Sequence, residues 1–398
     1  MKNFTKLLAV ILCLVVALST AACSLRPQWS YKEQGSDDEL PIGIYIYALY
    51  NAYNKAGSYA RETESYNSET GLYNGEKSFL NVKITDDEGK TAVASQWIKE
   101  EAENTVKTLI AINKEYDRVG ATIDEAKLKS QIKGQWNGDF YKNDPTYKQY
   151  YEMGYITADQ LVLEEYGISY ASYEYYNLTA YKEEAIFDKL YTTEGGEKAV
   201  ADEDLKKFFT ENYTSYTYFN TNLYTNETVE GSESETGALT TQKPMSEEEI
   251  KKNQKKFEGY ANDLKGGKSI DDVVKAYKAD FKLAEDAIAS STKVELTKEI
   301  SAGDDIKKAL ESLKEGEATT LVVGEGTQKS LYLIYKSAIE KEVENNFSDK
   351  AKKDAIIVNM KGDEFKNYIE NLTKNTKIEK SKFVDKYDPK MFEPKEEK

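Results

Sequence analysis

Hydrophobic residues recur at helical spacing over the first half of the chain and again at its end. The clearest stretch covers residues 91–119, where large apolar side chains recur every three or four positions and Gly120 follows as a stop signal. Similar stripes predict helices that begin near Ile44, after Ser169 and after Ser348. Further helix starts are marked by a Ser or Thr three positions before a Glu, Gln or Asp, as in a capping box, at Thr122, Thr157, Ser246 and Ser269.

The hydrophobic period changes after about residue 215. Residues 216–224 are rich in Thr and aromatic residues and lack a helical stripe, which predicts a β-strand. Residues 226–244 are polar and predict a loop, whereas residues 321–323 and 331–335, separated by a glycine turn, predict a β-hairpin. Residues 211–342 are therefore predicted to form an α+β domain between two helical segments.

The helix predicted after Ser348 has an apolar face of its own. Its members are Ile356, Met360, Phe365, Ile369 and Leu372. Such a face must be buried, and the helices of residues 41–210 are the simplest partner. We therefore predict an α+β protein in which residues 41–210 and 343–398 form one mostly helical lobe, with residues 211–342 inserted between them.

The first 22 residues have the pattern of a secretory signal peptide. Lys2 and Lys6 precede a run of twelve apolar residues, which small residues follow. The run is too short to span a bilayer, because a transmembrane helix needs about 20 residues. Cys23 comes next, and residues 18–23 (Leu-Ser-Thr-Ala-Ala-Cys) resemble the lipobox of bacterial lipoproteins, in which the cysteine is acylated and becomes the mature N-terminus.

The cysteine count agrees with a lipid on Cys23. Cys13 would leave with the signal peptide, so the mature chain would hold one thiol and no internal disulfide. Residues 24–40 are largely polar and acidic, which predicts that residues 23–40 form the lipid anchor and a tether to the fold. The alternative is an ordinary signal peptide followed by an incidental cysteine.

The composition excludes several classes of function. The 398 residues include no histidine, which rules out Ser-His and Cys-His nucleophile pairs and histidine zinc helices. The net charge of −16 and the lack of a basic cluster argue against nucleic acid as a partner. Acidic pairs such as Asp86/Asp87 and Asp304/Asp305 fall at turns or helix starts, where the helix dipole alone favours them, so no metal site and no cofactor is predicted.

Six short stretches resemble motifs of one protein family and follow one another in the same order. They are Tyr-Gly-Ile-Ser at residues 166–169 and residues 194–213, 264–274, 309–317, 360–365 and 387–389. Together they resemble the PrsA and SurA family of exported foldases, in which a parvulin-type prolyl isomerase domain interrupts a helical chaperone lobe. In that family the first two stretches lead into the parvulin domain. The next two form its helix-loop-helix and its third helix with the exit turn, and the last two are similar to the closing helix and the tail.

The chain departs from this family at the isomerase site. Parvulins carry one histidine on the first strand of the domain and another on the last, and the corresponding positions here are Tyr218 and Tyr332. The glycine-rich stretch that shapes the parvulin pocket is also missing, since residues 281–303 offer only Gly303. The resemblance therefore implies a retained fold with a degenerate isomerase site. The two tyrosines are expected to pack the sheet, and an active isomerase that uses their phenols is the alternative.

With the resemblance, the sequence predicts a lipid-anchored foldase or chaperone on the extracytoplasmic face of a bacterial cell membrane. It would hold unfolded or partly folded exported polypeptides without isomerase activity. The alternatives are an active parvulin-type isomerase and a substrate-capture lipoprotein. Tyrosine clusters at residues 45–53 and 170–176 suit either a groove for extended chains or the half-exposed faces of ordinary helices. The sequence is compatible with a homodimer as well as with a monomer.

Overall fold

The structure, a computed structural model, describes residues 28–228 and 240–394. The predicted signal peptide and Cys23 lie outside these residues, as does part of the predicted polar loop, residues 229–239. The chain divides into two compact units, of which the first combines Met1–Ala199 with Gly362–Lys398 and the second is Val200–Lys361. Among the residues described, none of the helices has the length and hydropathy needed to cross a bilayer.

Helices and strands are both present, and the predicted α+β class is confirmed. The helices are α1 (Ile42–Arg61), α2 (Ala94–Val119), α3 (Glu125–Asn137), α4 (Asp139–Asn143), α5 (Pro145–Glu152), α6 (Asp159–Leu163), α7 (Tyr170–Phe187), α8 (Asp202–Asn212), α9 (Glu247–Lys265), α10 (Ile270–Asp280), α11 (Asp304–Ser312), α12 (Val343–Ser348) and α13 (Lys350–Asn375). The strands are β1 (Tyr31–Glu33), β2 (Tyr66–Asn67), β3 (Leu72–Tyr73), β4 (Lys83–Thr85), β5 (Thr91–Val93), β6 (Tyr213–Asn222), β7 (Tyr224–Thr228), β8 (Thr240–Pro244), β9 (Ser291–Leu296), β10 (Ala318–Val323), β11 (Ser330–Ser337) and β12 (Ile378–Lys380).

The first unit has its main core between α1, α2 and α7. The face that α2 buries carries Trp97, Ala102, Val106 and Ile112, which are the positions that the helical period picks out. The start of α1 lies very close to α7, because Gly43 has no side chain. A Cβ at this position would lie 2.5 Å from the Oγ atom of Ser172, so a larger residue would require Ser172 or α1 to move.

Residues 28–40 belong to the first unit. Strand β1 pairs antiparallel with β12, and Tyr31 at its start is buried and donates its hydroxyl proton to Glu103 (3.1 Å). Leu40 is buried as well. The prediction of a tether over residues 23–40 is therefore wrong from residue 28 onward, because scattered apolar side chains in this polar segment find partners in the core.

The end of α13 also packs in the first unit. The ring of Phe365 meets that of Phe187 edge to face at 5.2 Å, and the hydroxyls of Thr108 and Thr373 are hydrogen-bonded at 3.2 Å. The boundary between the two units falls inside this helix, between Lys361 and Gly362. The apolar face of the closing helix is thus buried, over its final turns, against α2 and α7.

The second unit is built on a four-stranded antiparallel sheet with the strand order β10-β11-β6-β9. One face of the sheet, which carries Phe219 and Leu333, packs against α9 and α10. The opposite face carries Tyr216 and Ile334 and packs against α11, whose buried residues include Ile306. The elements follow in the order strand, two helices, strand, helix and two strands, if the small β7–β8 hairpin is set aside. The predicted hairpin at residues 321–335 is confirmed as β10 and β11.

This second unit is longer than the predicted insert of residues 211–342. It includes α8 before β6 and the first turns of α13 after the sheet. Lys353 of α13 forms a 2.6 Å ion pair with Asp202 of α8, and the side-chain amide of Asn359 donates to the Tyr213 hydroxyl at 2.6 Å. These contacts between flanks that are distant in sequence place both flanks with the sheet.

Some local predictions are wrong. The ends of the predicted loop over residues 226–244 form the paired strands β7 and β8. Two of the four capping motifs act as expected, since Ser246 forms a reciprocal box with Glu249 and Ser269 caps α10. Helix α3 is instead capped by Asp124, whose carboxylate accepts from the Lys127 N–H, while α6 begins without a side-chain cap. At the start of α3, Asp124 can cap the helix as well as Thr122 can, because Asp and Thr side chains both accept from backbone N–H groups. The Thr-x-x-Glu spacing does not distinguish between the two residues.

Candidate functional site

The structure brings the two predicted isomerase-site positions together. Tyr218 on β6 and Tyr332 on β11 lie on the same face of the sheet, with their ring centroids 6.2 Å apart. Tyr216 stacks on the other side of Tyr218 at 6.0 Å. The three rings form a row beneath α11, where Ala302 and Leu321 also pack.

Only one of these three phenols has a strong polar partner. The Tyr216 hydroxyl donates to Glu295 at 2.7 Å, and its burial raises the pKa of Tyr216. Burial alone would also raise the pKa of Glu295, but hydrogen bonds from Ser301 and Tyr216 outweigh it and hold that pKa below its usual value. Within the part of the chain that the structure describes, no group hydrogen-bonds the hydroxyls of Tyr218 and Tyr332.

This arrangement limits the chemistry available at the sheet. The half-buried Tyr218 and Tyr332 can each offer one hydroxyl to a substrate carbonyl. The carboxylate that accepts from Tyr216, Glu295, also accepts a hydrogen bond from Ser301. Among the described residues, the geometry therefore provides two hydroxyls for hydrogen bonding and no base hydrogen-bonded to either of them.

The predicted tyrosine clusters mostly pack against one another inside the first unit. Tyr45 is buried, the rings of Tyr47 and Tyr176 meet at 4.7 Å, and Tyr50 lies 5.4 Å from Phe392. Burial raises the pKa of Tyr47 to about 12. Most of these rings therefore support the core, although Tyr176 also lines the smaller of the two cavities described below.

Exposed aromatic side chains are found elsewhere, in the segment of residues 138–158. Among the described residues, eleven large hydrophobic side chains are exposed, and six of them lie between residues 140 and 161. Phe140 is 58% exposed, Met153 59% and Tyr155 77%, and Tyr147 and Tyr150 are exposed as well. We call these five side chains the aromatic surface.

The local sequence explains why these rings remain exposed. Gly138 and Pro145 divide the segment into α4 and α5, of five and eight residues, which are too short to bury a full apolar face. Gly138 has a φ of +69°, and a Cβ there would lie 2.9 Å from the Ala158 Cβ, so its backbone closes the segment against residue 158. Phe140 and Tyr147 then contact each other across the two helices at 5.4 Å.

Reasoning from the sequence did not identify the aromatic surface. Residues 140–155 contain six aromatic residues, and although residues 147, 150, 151 and 155 recur at helical spacing, Pro145 and Gly154 interrupt the stretch. The available signal was the aromatic density of a segment broken by Gly138, Pro145 and Gly154, since such a segment cannot form one amphipathic helix.

A cleft of about 740 Å³ is the second feature of the first unit. It lies between α2, the end of α13 and the β4–β5 turn, and it is lined by the buried side chains Trp97, Phe365 and Ile369. A smaller cavity of about 300 Å³ continues from it towards α7. The two cavities share four residues, Glu101, Asn104, Thr108 and Glu183.

Comparison with known proteins gives matches only among solved structures. No protein-family model matches the chain, and no curated protein matches its sequence. The chain is similar to the foldase protein PrsA from Streptococcus pneumoniae str. Canada MDR_19A, with 16% identity over 76% of this chain and 97% of that one, at a TM-score of 0.34.

Two further PrsA structures are similar to this chain. The protein from Lactococcus lactis is 13% identical over 90% of this chain and 96% of its own length, with a TM-score of 0.32. The protein from Bacillus subtilis is 14% identical over 79% of this chain and 98% of its own length, with a TM-score of 0.22. At these identities and TM-scores the matches do not establish a function, although they come from the family that the sequence motifs resemble.

Proposed function

We propose that this chain is a foldase-type chaperone that holds extended segments of exported polypeptides on its aromatic surface. The observation that carries the proposal is the concentration of exposed large hydrophobic side chains between residues 140 and 161. Large exposed apolar patches on soluble proteins often mark sites of interaction, and two of these rings, Phe140 and Tyr147, are in contact at 5.4 Å. The other exposed hydrophobic side chains among the described residues are few and scattered, and need no such explanation.

The chemistry of the aromatic surface suits a client without a fixed sequence. Apolar contact contributes roughly 25 cal/mol for each Å² removed from water and has no directional requirement. The exposed tyrosines Tyr147, Tyr150 and Tyr155 add hydroxyls that can donate to, or accept from, the peptide groups of an extended chain. Binding of this kind is weak, reversible and tolerant of sequence, as a chaperone requires.

The sequence motifs support the same class of function. They resemble exported foldases in which a parvulin-type domain interrupts a helical lobe, and the element order of the second unit is compatible with that plan. The signal-peptide pattern and Cys23 would place the protein on the extracytoplasmic face of the membrane through a lipid. The second unit would act without isomerase chemistry, because no described residue is hydrogen-bonded to Tyr218 or Tyr332 as a base.

The proposal is tested by measuring the affinity of the full-length protein, held in lipid nanodiscs, for a fluorescent polypeptide kept unfolded by reduction and alkylation. The variant Phe140→Ser/Tyr150→Ser/Tyr155→Ser should bind about tenfold more weakly, because it loses three large contact side chains. The control variant Leu283→Ser/Ile288→Ser removes two exposed hydrophobic side chains of the second unit. Equal weakening by both variants, or none by the first, would reject the aromatic surface as the binding site.

A further inference from the structure

The sheet of the second unit has two edges, formed by β9 and β10, and they differ in chemistry. Natural proteins protect an edge strand with charged side chains, proline or bulges, because its unpaired backbone groups can pair with another chain. Strand β9 has such protection, since Lys293 and Glu295 lie within it and form an ion pair of 3.6 Å. Strand β10 has the sequence Ala-Thr-Thr-Leu-Val-Val, which contains no charged residue and no proline.

Three residues of β10 direct their backbone polar groups away from the sheet. Alternate residues of an antiparallel strand bond to opposite sides. The Lys336 N–H donates to the Glu317 carbonyl at 3.0 Å, so the odd-numbered residues of β10 face β11. The N–H and C=O groups of Ala318, Thr320 and Val322 therefore point outward, and no group in the described part of the chain forms a hydrogen bond with them.

The side chains of β10 already have partners on the two faces of the sheet. Ala318 packs in the cluster under α9 and α10, and Leu321 packs in the cluster under α11. The strand is nevertheless in contact with solvent, because Val322 is 40% exposed and the other five residues are partly exposed. What remains available to a partner is the row of outward backbone groups.

We propose that the β10 edge binds an extended segment of a client polypeptide as an added strand of the sheet. This inference rests on the proposed function and adds to the aromatic surface a second contact, which recognises the client backbone. In strand addition the main-chain hydrogen bonds supply the affinity, so segments of unrelated sequence can bind. An unfolded, extended segment presents the row of donors and acceptors that such pairing requires.

The charges at the ends of β10 favour a client over a second copy of this chain. Glu317 precedes the strand, and Glu325 follows it after Gly324. If two β10 edges paired antiparallel about a two-fold axis at the middle of the strand, each Glu317 would lie beside the Glu325 of the other copy. Like charges at such positions are destabilising. A client segment with an uncharged centre and a Lys or Arg at each end has the complementary charge.

The test uses three peptides that have the same side chains, with alternating Thr and Val between two terminal Lys residues. One has an unmodified backbone, one is N-methylated at every second central residue, and one at every central residue. Dissociation constants are measured with the full-length protein in lipid nanodiscs. The first two should bind alike, because one hydrogen-bonding edge of the peptide is enough. The third should bind at least about tenfold more weakly, because it has lost the donors of both edges.

Two proline variants locate the binding edge. Thr320→Pro removes an outward N–H of β10 and no hydrogen bond of the sheet, and proline is tolerated at such edge positions. Val294→Pro is the matched control, because the Val294 N–H points outward from β9 by the same alternation. Thr320→Pro should weaken binding of the unmodified peptide about tenfold, and Val294→Pro should leave it unchanged. Thermal unfolding confirms that each variant is folded, and the comparison of peptides on the wild type needs neither variant.

The possible outcomes separate the two proposals. Equal affinity of the wild type for the unmodified and the fully methylated peptide would overturn strand addition, even if Phe140→Ser/Tyr150→Ser/Tyr155→Ser still weakens binding of the unfolded polypeptide. A methylation effect that persists in that aromatic-surface variant supports the edge independently of the aromatic surface. Equal weakening by both proline variants would overturn β10 as the site. Self-association of the full-length protein in detergent that Thr320→Pro abolishes would assign the edge to a second copy of the chain and overturn the client.

Discussion

The Tyr368 hydroxyl donates a hydrogen bond to Glu115, a residue 253 positions earlier in the chain. Arg118 holds the same carboxylate with two further bonds of 2.6 and 2.8 Å, and it also pairs with Glu197 at 3.1 Å. Glu115 is only 4% exposed, so a negative charge there depends on all of its partners. This network attaches the end of α13 to α2 and helps to make one unit from both ends of the chain.

Replacing Tyr368 by Phe should lower the free energy of unfolding of the first unit by about 1–3 kcal/mol, because a buried carboxylate loses a donor. Chemical denaturation followed by tryptophan fluorescence reports this unit, since Trp29, Trp97 and Trp136 all lie in it. Tyr155→Phe is the control, because Tyr155 is 77% exposed and its hydroxyl has water as an alternative partner. Equal stability of both variants would show that the Tyr368 hydrogen bond contributes nothing.

Glu115 should also make the first unit sensitive to acid. Hydrogen bonds from Arg118 and Tyr368 outweigh the effect of burial and lower the pKa of Glu115 from its ordinary value of 4.5. A lowered folded-state pKa means that the stabilisation is complete above about pH 4.5 and is lost as the pH falls through the folded value. The difference in unfolding free energy between wild type and Glu115→Gln should therefore be constant near neutrality and shrink below pH 4.5. A difference that grows on acidification would contradict this assignment.

The aromatic surface should depend on the close approach of residues 138 and 158. Gly138→Ala adds a Cβ that clashes with Ala158 and must also tolerate a positive φ, whereas Gly154→Ala meets the φ penalty alone, with no atom within 4 Å. Cleavage by chymotrypsin at the aromatic residues of the segment should therefore be clearly faster in Gly138→Ala than in Gly154→Ala. Equal cleavage rates would show that this approach does not hold the segment.

The second unit should not accelerate prolyl isomerisation through its tyrosines. Tyr218 and Tyr332 lie side by side, but no group in the described part of the structure is placed to activate their hydroxyls. In a protease-coupled assay with a prolyl peptide, the wild type and Tyr218→Phe/Tyr332→Phe should both give the background rate, and both should unfold at the same denaturant concentration. A wild-type rate above background that disappears in the double variant would establish an isomerase.

Periodic features of the fold could be predicted from the sequence. The stripe over residues 91–119 gave α2, apart from its first three residues, which pair as β5 with β4. The hairpin of β10 and β11 followed from two β-rich runs around a glycine turn. The family resemblance aligned Tyr218 and Tyr332 with the two histidine positions of a parvulin site. The strand pairing places both residues on one face of the sheet.

Features without a period could not be predicted. Strand β9 mixes Lys and Glu with Ser, Thr and Val, so its sequence has no clear strand pattern. It forms a strand by pairing with the edge of β6. The aromatic surface depends on a contact between Gly138 and Ala158 that closes a loop of short helices. The cleft combines residues of α2 and α7 with those near the end of the chain, so its lining depends on tertiary distances.

The most direct test of the account is suppression of aggregation by the full-length protein. An exported client is diluted from denaturant, and light scattering is followed with increasing amounts of the protein in lipid nanodiscs, with empty nanodiscs as the reference. The wild type and Tyr218→Phe/Tyr332→Phe should suppress scattering equally, and Phe140→Ser/Tyr150→Ser/Tyr155→Ser should do so much less. Scattering that the wild type leaves unchanged, or that the aromatic-surface variant suppresses as well as the wild type, would contradict a chaperone that holds its clients on this surface.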